Sequence, residues 1–458
     1  MPKTNIIYAC SNCGAQSPKW TGRCLECGAW GSLREETQIN NRGNLKTTDA
    51  APAETINLND VKMENWQRIK TGLDEFDRVL GGGIVPGSLI LVGGEPGIGK
   101  STLMLQITPS PPNPYPSGRG ETNVSERGEG TLYVSGEESA QQIKSRMERL
   151  GIKNNLQFIS ETNVEKIISA IIKLKPQLVV VDSIQTIYSD EVPSEPGGVN
   201  QIRACAVKLL PIAKEKNIPI IITGHITKDG SLAGPKTLEH LVDTVAYLEQ
   251  PKNKEFRLLR AVKNRFGSTN EVGLFEMSDA GFKEVRNPSG VFLDKQEQNS
   301  GTAVSCIMEG TRPFLIEVQA LITRTVFGYP QRKASGFDLN RLQILIAVLT
   351  KRAGLNLTAQ DAHINVVGGL KTNETALDLA VCAAIISSLT NQTLAGNTVI
   401  LGEVGLGGEV RNVYKLEQRL AEAAKLGFKK AVIPDVKINS GLELIQIKNV
   451  KNLAEYIV

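Results

Sequence analysis

Gly94-Glu95-Pro96-Gly97-Ile98-Gly99-Lys100-Ser101 follows the apolar run Ser88-Leu89-Ile90-Leu91-Val92-Gly93 and precedes Thr102-Leu103-Met104-Leu105-Gln106. The stretch fits G-x-x-x-x-G-K-[ST]. A strand in front and a helix behind turn that pattern into a phosphate site. Its glycines let the backbone curl so that successive N–H groups point at phosphate oxygens. Lys100 is placed to reach the β- and γ-phosphates, and the Ser101 hydroxyl to ligate Mg²⁺. The binding segment is therefore read as Gly94 through Ser101 with Thr102 beside it. Binding and hydrolysis of a nucleoside triphosphate, ATP by default, are expected.

Working outward, strand and helix patterns alternate on the C-terminal side of this loop. Strands are predicted at 131–135, 156–159, 178–182, 218–223, 242–248 and 257–263, and helices at 138–150, 164–174 and 201–216. Early alternation of this kind predicts a mostly parallel sheet flanked by helices, and the later consecutive strands predict antiparallel hairpins. Pro109, Pro111, Pro112, Pro114 and Pro116 crowd the segment directly after the loop helix. They end that helix within about two turns, and with Ser117–Gly130 they read as a disordered surface insertion.

Several strand ends carry candidate chemistry. Leu178-Val179-Val180-Val181-Asp182 ends on a carboxylate 82 residues beyond Lys100, placed to hold Mg²⁺ beside Ser101. Ser135-Gly136-Glu137-Glu138-Ser139 follows the strand at 131–135. One glutamate is a candidate to polarise the attacking water, and acidic residues at a helix start also complement its dipole. Glu138 is favoured over Glu137 as the catalytic carboxylate. Thr223-Gly224-His225 closes another strand, where His225 is either a γ-phosphate sensor or a hydrogen-bonded structural residue. The loop 227–236, with Lys228, Gly230, Gly234 and Lys236, is read as a mobile strand-contacting loop or a solvated basic turn. Lys263 and Arg265 in Lys263-Asn264-Arg265-Phe266-Gly267 share one face at period two. They are candidates to stabilise phosphate charge, most usefully in a neighbouring subunit's site.

At the front of the chain, Cys10-x-x-Cys13 and Cys24-x-x-Cys27 are separated by ten residues. Two such turns make a tetrahedral Cys₄ cage that favours Zn²⁺, with Gly14 and Gly28 in positive-φ positions after each pair. Iron with the same ligands, two disulfides, or a redox C-x-x-C are the alternatives. Disulfides conflict with a reducing cytosol, and the redox reading lacks its βαβ surroundings. Trp20 and Trp30 read as packing residues of this knuckle, with base stacking as the other role. Cys205, Cys306 and Cys382 lie in apolar runs and read as core residues.

The chain has 458 residues and a formal net charge of +4, which points to two or three domains and neither announces nor opposes nucleic-acid binding. No apolar run approaches the ~20 residues that span a bilayer, and the N-terminal segment leads into the cysteine cluster, not a signal core. A cytoplasmic protein with no membrane contact is expected. The division predicted is a zinc-binding knuckle at 1–33, a linker at 34–66, an ATPase domain at 67–285 and a further domain at 286–458.

Together the Cys₄ knuckle, the Thr71–Gly83 entry, Gly94–Ser101, Ser135–Ser139, Asp182, Thr223–Asp243 and the Lys-Asn-Arg-Phe-Gly string resemble the bacterial RadA (Sms) family of DNA-repair ATPases over nearly the whole chain. The resemblance implies an α/β, RecA-like ATPase core and a hexameric ring with single-stranded DNA threaded through it. It also implies a motor that extends branched recombination intermediates by branch migration, and cooperation with the RecA recombinase. In similar motors a pair matching Lys263 and Arg265 acts in trans. The proline-rich insertion departs from the family pattern, where a longer helix and a short turn stand.

Residues 286–458 resemble the α+β Lon protease domain, through Ile400–Val410, Leu416–Gly427 and Ala431-Val432-Ile433-Pro434. A working Lon site needs a Ser–Lys dyad. Thr372-Asn373-Glu374-Thr375-Ala376-Leu377-Asp378 holds no serine where the nucleophile belongs, and Glu417 stands nearest to the lysine position, so proteolysis is not expected. Lys351, Arg352, Lys371, Arg411, Lys415 and Arg419 are candidates for a basic DNA-facing surface or a scattered solvated face. Two other readings remain: a ring-shaped signalling ATPase similar to the clock protein KaiC, and a zinc-dependent adaptor with the ATPase as a switch.

Overall fold

The computed structural model describes residues 5–11, 16–17, 19–24, 28–38, 57, 67–108, 130–153, 156–225, 238–250, 255–285, 293, 299–326, 328–368 and 372–458. The proline-rich stretch 109–129, the loop 227–236, Cys13, Cys27, Gly14 and Lys371 lie outside them. The chain forms two compact units, one of residues 1–248, 261–268 and 279–281 and one of 249–260, 269–278 and 282–458.

In the first unit a parallel sheet carries the strands Thr244–Glu249, Leu89–Gly94, Ile220–His225, Leu178–Asp182, Thr131–Ser135 and Leu156–Ile159 side by side in that order. Parallel strands covered on both faces read as unbroken apolar runs. Leu89-Ile90-Leu91-Val92 and Leu178-Val179-Val180-Val181 are such runs, and all eight side chains are buried. On one face Leu89, Leu91, Val179, Val181, Ile220 and Ile222 share a cluster with Val164, Ile167, Ile171, Ile202, Cys205 and Leu209 of the helices Val164–Leu174 and Val199–Lys216. Each fully buried aliphatic side chain contributes about 1.5–3 kcal/mol. Burial pushes the Cys205 thiol up to about 12, as befits a core residue.

The first helix after the phosphate loop, Lys100–Gln106, ends at Ile107, before the prolines. At the front of the chain Asn5–Cys10 pairs antiparallel with Leu33–Gln38, Cys10 facing Leu33. Residues 34–38, within the expected linker 34–66, pair with Asn5–Ala9 in the knuckle's sheet.

In the second unit seven strands run in the order Arg332–Ser335, Gln360–Val366, Arg312–Arg324, Thr302–Glu309, Thr398–Ile400, Lys430–Pro434 and Glu443–Ile447. The helix Asp378–Thr390 is buried over its first ten residues and supplies much of the core. The unit also claims residues 249–260 and 269–278, short of the expected boundary at 285. The reason is packing: Phe256, Leu258, Val272 and Leu274 of an antiparallel hairpin belong to one apolar cluster with Ile307, Phe314 and Ile316. Cys306 and Cys382 are buried as well. The architecture is the expected α/β class: a RecA-like P-loop core, an N-terminal cysteine knuckle and an α+β, Lon-protease-like C-terminal domain. Among the described residues no helix is long and apolar enough to cross a membrane.

Candidate active site

The phosphate loop leaves its strand at Gly94 and enters its helix at Lys100 through Gly99, whose φ of 108° lies in the region that glycine tolerates and side chains strain to reach. Lys100 is 5% exposed. Its ammonium donates to the Gly94 and Glu95 carbonyls, each at 3.0 Å, and lies 3.0 Å from His225 Nδ1. Burial lowers the Lys100 pKa to about 8, with Asp182 and Glu137 pulling the other way. Burial and the facing ammonium lower His225 too, so the ring is neutral and Nδ1 accepts from Lys100. His225 thus sits in the phosphate pocket itself. Ser101 is half-buried and Thr102 buried in the first turn of the loop helix.

Asp182 ends the strand beside Thr131–Ser135 and is 9% exposed. Its Oδ2 accepts from Tyr133 Oη at 2.6 Å and its Oδ1 from Thr223 Oγ1 at 2.6 Å. Neither donor was singled out in the sequence, where Tyr133 lies within the strand predicted at 131–135 and Thr223 at the end of the one at 218–223.

The two glutamates separate. Glu138 is gripped by Arg146, with Nη1 to Oε2 at 2.8 Å and a second bond from Nη2 to Oε1. Glu137 accepts from Ser183 Oγ at 3.1 Å, and its charge is felt by both Lys100 and His225. Glu138, the glutamate favoured in the sequence, is held by a bidentate arginine, while Glu137 reaches Ser183 next to Asp182. The helix that follows, Ala140–Arg149, is started by a capping box between Ser139 and Gln142, and the turn before it aims the two glutamates apart.

Lys263 and Arg265 both reach the 239–243 segment. Lys263 Nζ donates to the Glu239 carbonyl at 2.6 Å, and burial lowers its pKa. Arg265, its side chain 57% exposed, bonds Asp243 Oδ1 at 3.3 Å. The buried Asp243 also accepts from Leu89 N at 3.0 Å and from Lys214 at 2.6 Å. Arg68 ties the string down by donating to the Phe266 carbonyl at 2.7 Å and the Leu80 carbonyl at 2.9 Å.

In the knuckle Cys10 and Cys24 are each 3% exposed and share a small cluster with Leu33. Gly28 N bonds the Cys24 carbonyl at 2.9 Å and adopts φ 73°, the turn expected after a cysteine pair. Two thiols, Cys10 at the end of a strand and Cys24 just before a turn, buried together where almost no apolar core exists, fit a metal's donor set. Trp20 and Trp30 are 61% and 77% exposed, so neither is the packing residue expected. The Arg23 guanidinium lies over the Trp30 ring at 5.9 Å.

In the second unit Arg419 is fully buried and paired with Glu374, which also accepts from Met308 N at 2.8 Å. Arg341 makes a bidentate pair with the buried Asp378. Glu417 is exposed. Arg419 therefore leaves the candidate basic surface: it faces inward from the helix Leu416–Lys425. Arg411 is paired with Glu409.

Comparison with known proteins finds three family models along the chain. A family model described as an AAA domain matches residues 52–231, one described as a rubredoxin metal binding domain matches 8–35, and one for subunit ChlI of Mg-chelatase matches 333–437. The DNA repair protein RadA of Bacillus subtilis (strain 168) is 48% identical over 461 residues, covering 98% of each chain. The DNA repair protein RadA of Streptococcus pyogenes serotype M1 is 47% identical over 458 residues, again covering 98% of each. A crystal structure of the RadB recombinase is 23% identical, covering 48% of this chain and 100% of that one, with a TM-score of 0.36 that is too low to carry an argument.

Proposed function

The chain belongs to the DNA repair protein RadA family, and on that premise we propose that it is an ATP-driven motor that binds single-stranded DNA in homologous recombination and repair. It promotes branch migration of recombination intermediates with the RecA recombinase, as a homohexameric ring. The observation that carries the ATPase reading is the arrangement of Lys100, Asp182 and Glu137. Three charged groups surround one phosphate pocket, each bonded to carbonyls, hydroxyls or a neutral imidazole and none to another ion. Their charges stay available to a ligand.

In this reading the loop 94–102 wraps the phosphates and Lys100 exchanges its carbonyl partners for β- and γ-phosphate oxygens. Ser101 and Asp182 would hold a magnesium ion, which when bound would supply positive charge against that building on the phosphates. Glu137 orients and polarises the attacking water. Arg265, the more exposed of the cation pair, reaches a neighbouring subunit's γ-phosphate, and Lys263 supports it. Cys10, Cys13, Cys24 and Cys27 hold zinc. The C-terminal domain serves as a scaffold without proteolysis, a reading supported by the absence of serine from 372–378 and by Glu417 standing nearest to the lysine position.

The test is ATP turnover with and without single-stranded oligonucleotide at two salt concentrations. Stimulation by the oligonucleotide that weakens steeply with salt is expected, because contacts to phosphates release counterions. Turnover indifferent to the oligonucleotide at low salt would discard the motor reading.

A further inference from the structure

Asp182 is held in an unusual way for a buried carboxylate. Among the described residues no lysine or arginine lies within ion-pair distance of it, although its charge is felt by Lys100. Instead each oxygen takes one hydrogen bond from a neutral hydroxyl, Oδ2 from Tyr133 and Oδ1 from Thr223, both at 2.6 Å. The two donors come from the two strands that flank the Asp182 strand in the sheet, Thr131–Ser135 on one side and Ile220–His225 on the other. Both donor residues are fully buried. The Thr223 carbonyl also accepts from Ile184 N at 3.0 Å, so Thr223 braces the chain on both sides of the Asp182–Ser183 peptide.

We propose that Tyr133 and Thr223 are positioning residues for the magnesium carboxylate, fixing the plane of Asp182 while leaving its charge and its remaining lone pairs for the metal and its waters. The proposal rests on the reading of Asp182 as the magnesium carboxylate. The chemistry favours hydroxyls over cations here. An arginine or lysine partner would fix the carboxylate equally well but would cancel the charge that attracts a divalent ion. A hydroxyl supplies direction without charge. A phenol ordinarily loses its proton only at about pH 10, so Tyr133 is a donor at neutral pH. Outer partners of this kind orient the groups that ligate a metal and tune its affinity.

Thr223 adds a second consequence. Two residues further along the same strand, His225 meets the Lys100 ammonium. One strand therefore carries both the brace on the magnesium carboxylate and the contact to the phosphate lysine.

The experiment uses the full chain with Tyr133→Phe, Thr223→Val, the double variant and Asp182→Asn. Mn²⁺ binding in the presence of a non-hydrolysable ATP analogue is followed by electron paramagnetic resonance, alongside the Mg²⁺ dependence of ATP turnover. Each single variant should weaken Mn²⁺ binding and raise the half-saturating Mg²⁺ by about tenfold, and the double variant by more than either. Turnover should recover substantially at saturating Mg²⁺, separating an affinity effect from a rate effect. Thr223→Ser, which keeps the hydroxyl, should restore most of what Thr223→Val loses. Native Mn²⁺ affinity in Tyr133→Phe and Thr223→Val, with Asp182→Asn defective, would overturn the proposal. So would a fall in melting temperature of those variants with no change in metal dependence. Native Mn²⁺ affinity in Asp182→Asn would instead remove the underlying reading of Asp182, and the proposal with it.

Discussion

The phosphate pocket of the first unit and the buried polar centre of the second unit both gather acids and bases, and they treat charge in opposite ways. Around the phosphate loop Lys100 leans on carbonyls and a neutral imidazole, and Asp182 and Glu137 lean on hydroxyls. In the second unit Arg419 is locked to Glu374 and Arg341 to Asp378. A charge held by neutral donors keeps its field and can be handed to a ligand. A charge held by its opposite is spent on the fold. The contrast separates a place built to react from a place built to hold.

The hardest blow to the comparison is Lys100→Ala. It should reduce ATP turnover on the order of 10³-fold while leaving the melting temperature near native, because no ion pair is broken. A large loss of stability would mean that the pocket is a structural centre after all. Next in size is the split between the two glutamates. Glu137→Gln should lower turnover by about 10²–10³-fold with nucleotide binding kept, and Glu138→Gln, whose carboxylate is committed to Arg146, should stay within about threefold. The reverse order in single-turnover assays would restore Glu138 as the water-activating group.

The opposite pattern is expected in the second unit. Arg419→Met strands the Glu374 carboxylate and should cost about 3 kcal/mol of stability, read by denaturant unfolding, with ATP affinity of the folded protein unchanged. A stability change below about 0.5 kcal/mol would show that this pair is solvated like a surface one. The smallest effect concerns protons. Free Lys100 has its pKa lowered to about 8, and bound phosphate must raise it. Nucleotide affinity should therefore be full below pH 8 and fall by up to about tenfold per pH unit above it. At pH 8.5 binding should take up protons, seen calorimetrically as an enthalpy that varies with the ionisation heat of the buffer. An enthalpy independent of buffer would place the Lys100 ammonium in a more solvated state.

The phosphate loop was legible because eight consecutive residues carry it and local backbone rules govern their shape. Asp182 was legible because an apolar run of four ends on it. The glutamate assignment was not. Glu137 and Glu138 are neighbours in sequence, and their surroundings part only when Arg146, one helix turn and more away, claims one carboxylate and Ser183 the other. The last strand of the knuckle was not legible for a similar reason: residues 33–38 look like polar linker until Asn5–Cys10 pairs with them. Trp20 and Trp30 looked like packing residues in a segment with too little core to pack against.

The amino-acid order alone determined what depends on short stretches of chain: a nucleotide loop between strand and helix, alternating elements that make a parallel sheet, and two cysteine pairs. Only the tertiary structure decided which oxygens and nitrogens meet. Tyr133, Asp182 and Thr223 lie tens of residues apart and become neighbours because their strands lie side by side. Glu374 and Arg419 become a pair because a helix turns one face inward. Spacing along a chain sets local geometry, but a buried charge takes its character from whichever donor the fold brings within about 3 Å, and no reading of one segment contains that partner.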